Sequence, residues 1–180
     1  MAGHSHWKQV KHEKGAADQK RGALFSKLLR AISAAARSEP NPDFNPTLRT
    51  MVEKARAANV PGENISRAIE RGGHGEEALE PLTLEAYGPE GAALLIEAVT
   101  DSKNRTIMDV KLILKDHSAK WAEPGSVRWA FEPRSPEEGG GWRAKFPQPL
   151  SSAGRESLAK LVAALETHDD IQSVVTNVSE

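Results

Sequence analysis

The sequence of 180 residues contains no cysteine, which excludes a disulfide framework and any thiolate metal site. It also lacks an apolar run long enough to cross a bilayer, so no membrane partner is expected. The opening stretch, 1–14, is polar and rich in His and Lys. It has neither the apolar core of a secretory signal nor the Arg- and Ser-rich amphipathic pattern of a mitochondrial presequence. A bacterial-type cytoplasm is the expected location. Catalytic signatures are missing as well. The turn Gly88-Pro89-Glu90-Gly91 has no phosphate-loop Lys-Ser/Thr, and Ser126 has only the distant His117 as a base. No enzymatic activity and no cofactor are expected.

What the chain does have is charge, unevenly spread. The formal net charge is −1. Residues 1–75 carry 13 Lys and Arg against 7 Asp and Glu, a balance of +6, and residues 76–180 carry 11 against 18, a balance of −7. Within 1–37 the count is 8 basic against 2 acidic. Halves of opposite sign suggest that the amino end meets a polyanion while the rest does something else.

Hydrophobic periodicity organises the two halves. Residues 1–19 show weak periodicity and read as a partly ordered arm holding one helical turn. From 20 to 37, Phe25, Leu28, Leu29 and Ile32 fall at i, i+3, i+4 and i+7, the stripe of an amphipathic helix. Lys20, Lys27, Arg30 and Arg37 project from the other side of that helix. Three prolines break the chain across 38–46. Asn45 then fits an N-cap and Pro46 a first helical residue, opening a helix over 46–58 that buries Leu48, Met51 or Val52, and Ala55. A third helix over 62–71 buries Ile65, Ala68 and Ile69, with Gly72-Gly73 as its left-handed terminus.

Beyond a linker at 74–81 the period changes. Leu82, Leu84 and Ala86 alternate, and 92–100 is an apolar run suited to a central strand. A helix over 105–117 carries Ile107, Val110, Leu112 and Leu114. In 126–131, Val127, Trp129 and Phe131 alternate as a strand does. A flexible segment (133–141), a short strand (142–146), a helix capped by Ser151 or Ser152, and a last strand (171–178) complete the chain. The fold class is α+β: an N-terminal three-helix domain (1–73), then a mixed α/β sandwich-like domain with an antiparallel sheet (82–180).

The cations of the first domain are the strongest candidate site. Lys8, Lys11, His12, Lys14, Lys20, Arg21, Lys27, Arg30, Arg37, Lys54 and Arg56 are the expected nucleic-acid contacts, binding phosphates with release of condensed counterions. Trp7 is either a base-stacking ring or an apolar latch onto the bundle. His4, His6 and His12 have no acidic or sulfur ligand at a familiar spacing, so no metal is assigned to them. Asn104, Arg105 and Thr106, at a helix N-terminus, form a second candidate contact for an anion or an acidic partner. The acidic residues Glu76, Glu77, Glu80, Asp169 and Asp170 offer the alternative of a protein–protein module that docks a basic partner.

Several segments closely resemble one family. GHSHWKQVKHEKGAADQKRGALFSKLLRAI (3–32), NPTLRTMVEKARAANVPGENISRAIERG (45–72), YGPEGAALLIEAVTDSKNRT (87–106), GSVRWAFE (125–132) and HDDIQSVVTNV (168–178) match the YebC/PmpR family in order. The resemblance implies an N-terminal helical domain followed by α/β domains. It also implies a nucleic-acid-binding role, either as a DNA-binding transcriptional regulator or as a translation factor on the ribosome and its RNA that relieves stalling. His6 stands where the family usually has Lys, and Glu13 where it has a basic residue. SPEEGGG (135–141) stands where the family inserts a third domain, so the resemblance is to a short form.

Overall fold

The computed structural model describes residues 4–75, 78–135 and 138–179, with side chains from Lys20 onward. Helix α1 (His4–Ala36) is continuous over 33 residues. The expected arm is therefore helical backbone from His4. Periodicity reports which face is buried, not whether the backbone coils, and this stretch contains no proline to stop it.

Helix α2 (Pro46–Ala57) starts where the cap chemistry requires. The Asn45 side chain accepts the Leu48 N–H at 3.0 Å and donates to the carbonyls of Ala35 and Glu39 at 2.9 and 2.8 Å. One amide thus caps α2 and ties it to the end of α1. Helix α3 (Gly62–Gly73) follows a left-handed Asn59 (φ 62°). Ile32, Ala36, Leu48, Val52, Ala55, Val60, Ile65 and Ala68 form the core of this bundle.

The expected left-handed terminus at Gly72-Gly73 lies one turn later. Both glycines are helical, His74 is the C-cap, and the positive φ falls at Gly75 (69°). Gly72 serves a different need. A Cβ there would stand 2.1 Å from the Ser33 carbonyl oxygen, so its absence lets α3 close onto α1.

The second half is built on a four-stranded antiparallel sheet in the order β3-β1-β2-β6. Its strands are β1 (Glu80–Tyr87), β2 (Ala93–Thr100), β3 (Lys120–Ala122) and β6 (Ile171–Thr176). Helices α4 (Lys103–Asp116) and α5 (Ser152–Thr167) cover one face. Leu94, Ile96 and Ala98 of β2 pack there with Val110, Leu114, Leu158, Leu161 and Leu165. On the other face Ala93 and Leu95 meet Val127, Ala130 and Phe131 beneath a ribbon of β4 (Phe131–Pro133) and β5 (Trp142–Ala144). With both faces covered, β2 is apolar along most of its length, with Glu97 alone among its first seven residues polar and bonded to Trp142 and Ser173.

The segment 126–131 departs from the expected strand. Arg128–Ala130 is a 3₁₀ turn and only Phe131 enters β4. Glu85, buried on β1, explains it: its carboxylate accepts the N–H groups of Gly125, Val127 and Arg128 at 2.6, 2.7 and 3.0 Å. Three donors turned to one acceptor cannot also run along a ladder. Val127 and Phe131 stay inside while Trp129 is turned out to solvent. Of the apolar residues carried by α4, Leu112 is exposed. Among the described residues no helix is long and apolar enough to cross a membrane.

Candidate nucleic-acid interface

The cationic side of α1 divides in two. Lys20 and Arg21 are exposed and carry no ion pair among the described residues. From about two turns beyond Lys20, the side of α1 opposite its apolar stripe meets the second half of the molecule. Lys27 donates to the carbonyl of Glu166, and burial lowers its pKa despite the opposing pull of Glu166 and Asp169. Arg30 bonds Asp170 Oδ1 at 2.7 Å and the Val99 carbonyl at 3.2 Å. Arg37 lies 3.8 Å from Glu80, which also binds Lys103 at 2.6 Å.

Asp170 is the centre of this seam. It is 2% exposed, at the turn between α5 and β6. Its second oxygen accepts from the Thr106 hydroxyl at 2.7 Å and from Arg105 at 3.2 Å. Its backbone is held too, the carbonyl by the Val99 N–H at 2.8 Å and the N–H by His168 Nδ1 at 3.1 Å. Burial would raise the carboxyl's pKa, but the Thr106 hydroxyl and the two guanidinium groups outweigh it and hold the group below its ordinary value.

Two expectations are corrected by this seam. Lys27 and Arg30 lie opposite the apolar stripe of α1, as the 100° rule places them, but that side faces protein rather than solvent. Arg105 and Thr106 do meet an anion at the start of α4, and the anion is the chain's own Asp170. Thr106 is fully buried, and Arg105 is also paired with Asp101 at 2.6 Å. Asn104 remains exposed beside them. Asp170 and Glu80, offered by the sequence to a basic partner, are engaged by cations of this same chain. Glu76 and Glu77 lie outside the described residues.

The remaining candidates are simply placed. Lys54 and Arg56 are exposed in the last turn of α2, with no ion pair among the described residues. The side chains of Trp7, Lys8, Lys11, His12 and Lys14 lie outside the described part, as do those of His4 and His6. Among the described residues no group of three or more His, Asp or Glu is arranged to hold a metal. Helices α2 and α3 are separated by only four residues, 58–61. The first turn of α3 carries Glu63, paired with Arg67, and so offers little positive charge to a phosphate. Sequence reasoning missed Glu85 and the role of Asp170, since nothing local marks a carboxylate whose partners lie 40 or 140 residues away.

A basic, half-covered helical bundle latched to an antiparallel α+β unit has close relatives. The TACO1/YebC protein N-terminal domain matches residues 5–75, and the TACO1/YebC second and third domain matches residues 79–135. The chain belongs to the TACO1/YebC family. A protein of Prochlorococcus marinus (strain MIT 9303) named "probable transcriptional regulatory protein" is 50% identical over 139 residues, 75% of this chain and 56% of that protein. One of the same name from Chloroflexus aurantiacus is 49% identical over 136 residues, 73% and 54% respectively. The chain thus spans about half the length of the curated relatives it matches. The crystal structure of a conserved hypothetical protein from Aquifex aeolicus aligns with a TM-score of 0.81 at 30% identity, over 97% of each chain.

Proposed function

We propose that this protein is a non-enzymatic regulator of gene expression that binds nucleic acid through the exposed cations of its helical third. The observation that carries the reading is the contrast within one basic region. Arg30 pairs with Asp170, Arg37 lies 3.8 Å from Glu80 and Lys27 donates to the Glu166 carbonyl, whereas Lys20, Arg21, Lys54 and Arg56 are exposed with no ion pair among the described residues. Lys8, Lys11, His12 and Lys14 continue the sequence of cations along α1. The relatives' name, "probable transcriptional regulatory protein", supports transcription as the level of regulation, and the family resemblance offers the ribosome and its RNA as the other target.

The test is anisotropy of a labelled 20-base-pair duplex with the full chain, wild type against K20E/R21E/K54E/R56E. Four phosphate contacts give a slope of log affinity on log salt of about −3.6 for duplex DNA. The variant is expected to bind at least tenfold more weakly, with a shallower slope. Binding indifferent to salt and to all four reversals overturns the reading. DNA-binding and ribosomal readings separate by footprinting on promoter DNA against sedimentation with ribosomes. The protein–protein alternative draws no support from Asp170 or Glu80, which are already engaged.

A further inference from the structure

Trp129 and Phe146 are exposed at 65% and 50%, and they stand side by side with ring centroids 5.7 Å apart and planes tilted by 43°. Neither ring is loosely hung. The Trp129 indole N–H donates to the Ser126 carbonyl at 2.8 Å, on the turn that Glu85 pins through three backbone N–H groups. Phe146 is fixed through its carbonyl, which accepts from Asn177 at 3.2 Å, and through the neighbouring Lys145 N–H, bonded to Ala130 at 2.8 Å.

Cations border the rings. The Lys145 ammonium lies 5.3 Å from the Phe146 centroid, and Arg128, next to Trp129 in the chain, sits 4.8 Å over Trp142. Neither Arg128 nor Lys145 has an ion pair among the described residues. Among the described acids of the ribbon, Glu132 and Glu138 both bind Arg143. The surface therefore offers two rigid π faces and unneutralised positive charge.

We infer that the Trp129–Phe146 pair, with Lys145, is a stacking platform for an unpaired stretch of RNA. Each ring can take one base face while the adjacent cations meet the connecting phosphates. Rings tilted by 43° suit bases splayed from one another, a geometry that an unpaired strand supplies and a continuous duplex does not. The inference rests on the nucleic-acid reading above and extends it to a second surface, on the other half of the molecule.

The probe is a fluorescein-labelled 12-nucleotide oligo(A) RNA, with a blunt RNA duplex as comparison, both titrated against the full chain. W129A/F146A is expected to weaken single-strand binding by about thirtyfold or more, the order expected when two stacked rings are lost, and to leave duplex binding within about twofold. W129F keeps a π face and should restore most of the affinity, which a merely structural loss would not allow. Equal losses on both probes, or no loss on the single strand, overturn the platform, and tighter binding of the matching deoxy-oligomer overturns RNA as its occupant. K20E/R21E/K54E/R56E separates the two ideas. If it is without effect while W129A/F146A weakens oligo(A) binding, the platform stands and the helical surface falls. The reverse pattern does the opposite.

Discussion

Replacing Asp170 should uncouple the two halves of the molecule. In the Asp170→Ala protein Arg30 loses its 2.7 Å partner and retains only the Val99 carbonyl, while Arg105 keeps Asp101. Thr106, buried beneath, loses its charged acceptor but keeps Thr100 and the Ser102 carbonyl. Removing one member of a buried ion pair costs about 3–5 kcal/mol. Arg30 is partly exposed and Arg105 retains a partner, so the lower end, about 3 kcal/mol, is expected. Urea unfolding at pH 7 measures it, and a double-mutant cycle with Arg30→Ala should return a coupling of about 1–3 kcal/mol. The carboxyl's pKa is lower in the folded protein than unfolded, so its contribution is complete above about pH 4 and fades as pH falls through the folded value. The difference between wild type and Asp170→Asn should close over that range. An Asp170→Ala protein within about 1 kcal/mol of wild type, or a coupling near zero, refutes the reasoning that this carboxylate joins the halves.

Three further substitutions test the bundle, beside the binding variants above. Gly72→Ala drives a methyl into the Ser33 carbonyl and should cost about 3 kcal/mol, whereas Gly22→Ala, with open space around its Cβ, should stabilise by about 1 kcal/mol; thermal melts compare them. Asn45→Ala removes the α2 cap and two bonds to the end of α1, and should cost about 2 kcal/mol in urea unfolding.

Much of the fold is written locally. Asn45-Pro46 and Ser151 announce helices through cap chemistry, and the burial of Leu158, Leu161 and Leu165 follows their spacing. The run at 92–100 announces a strand covered on both faces. What was not legible depends on distant partners. Val127, Trp129 and Phe131 alternate as a strand, but Glu85, some 40 residues earlier, draws the N–H groups of Val127 and Arg128, with that of Gly125 just before them, into a turn. The α1 cations show the same limit. Periodicity separates them from the bundle core, and only the fold reveals that a second body stands on that side. Of the candidate cations, Lys20, Arg21, Lys54 and Arg56 are exposed, while Lys27 and Arg30 face the second half of the molecule.

Chain synthesis gives the carboxylate at position 170 a role in time. A ribosome delivers Arg30 some 140 residues before its counter-ion, and amino-terminal units begin to fold as they emerge. Until the turn before the final strand appears, the bundle holds Lys27 and Arg30 unmatched, presenting more positive charge than the finished protein does. With Asp170 in place, the bundle presents less positive charge than its own residues alone would.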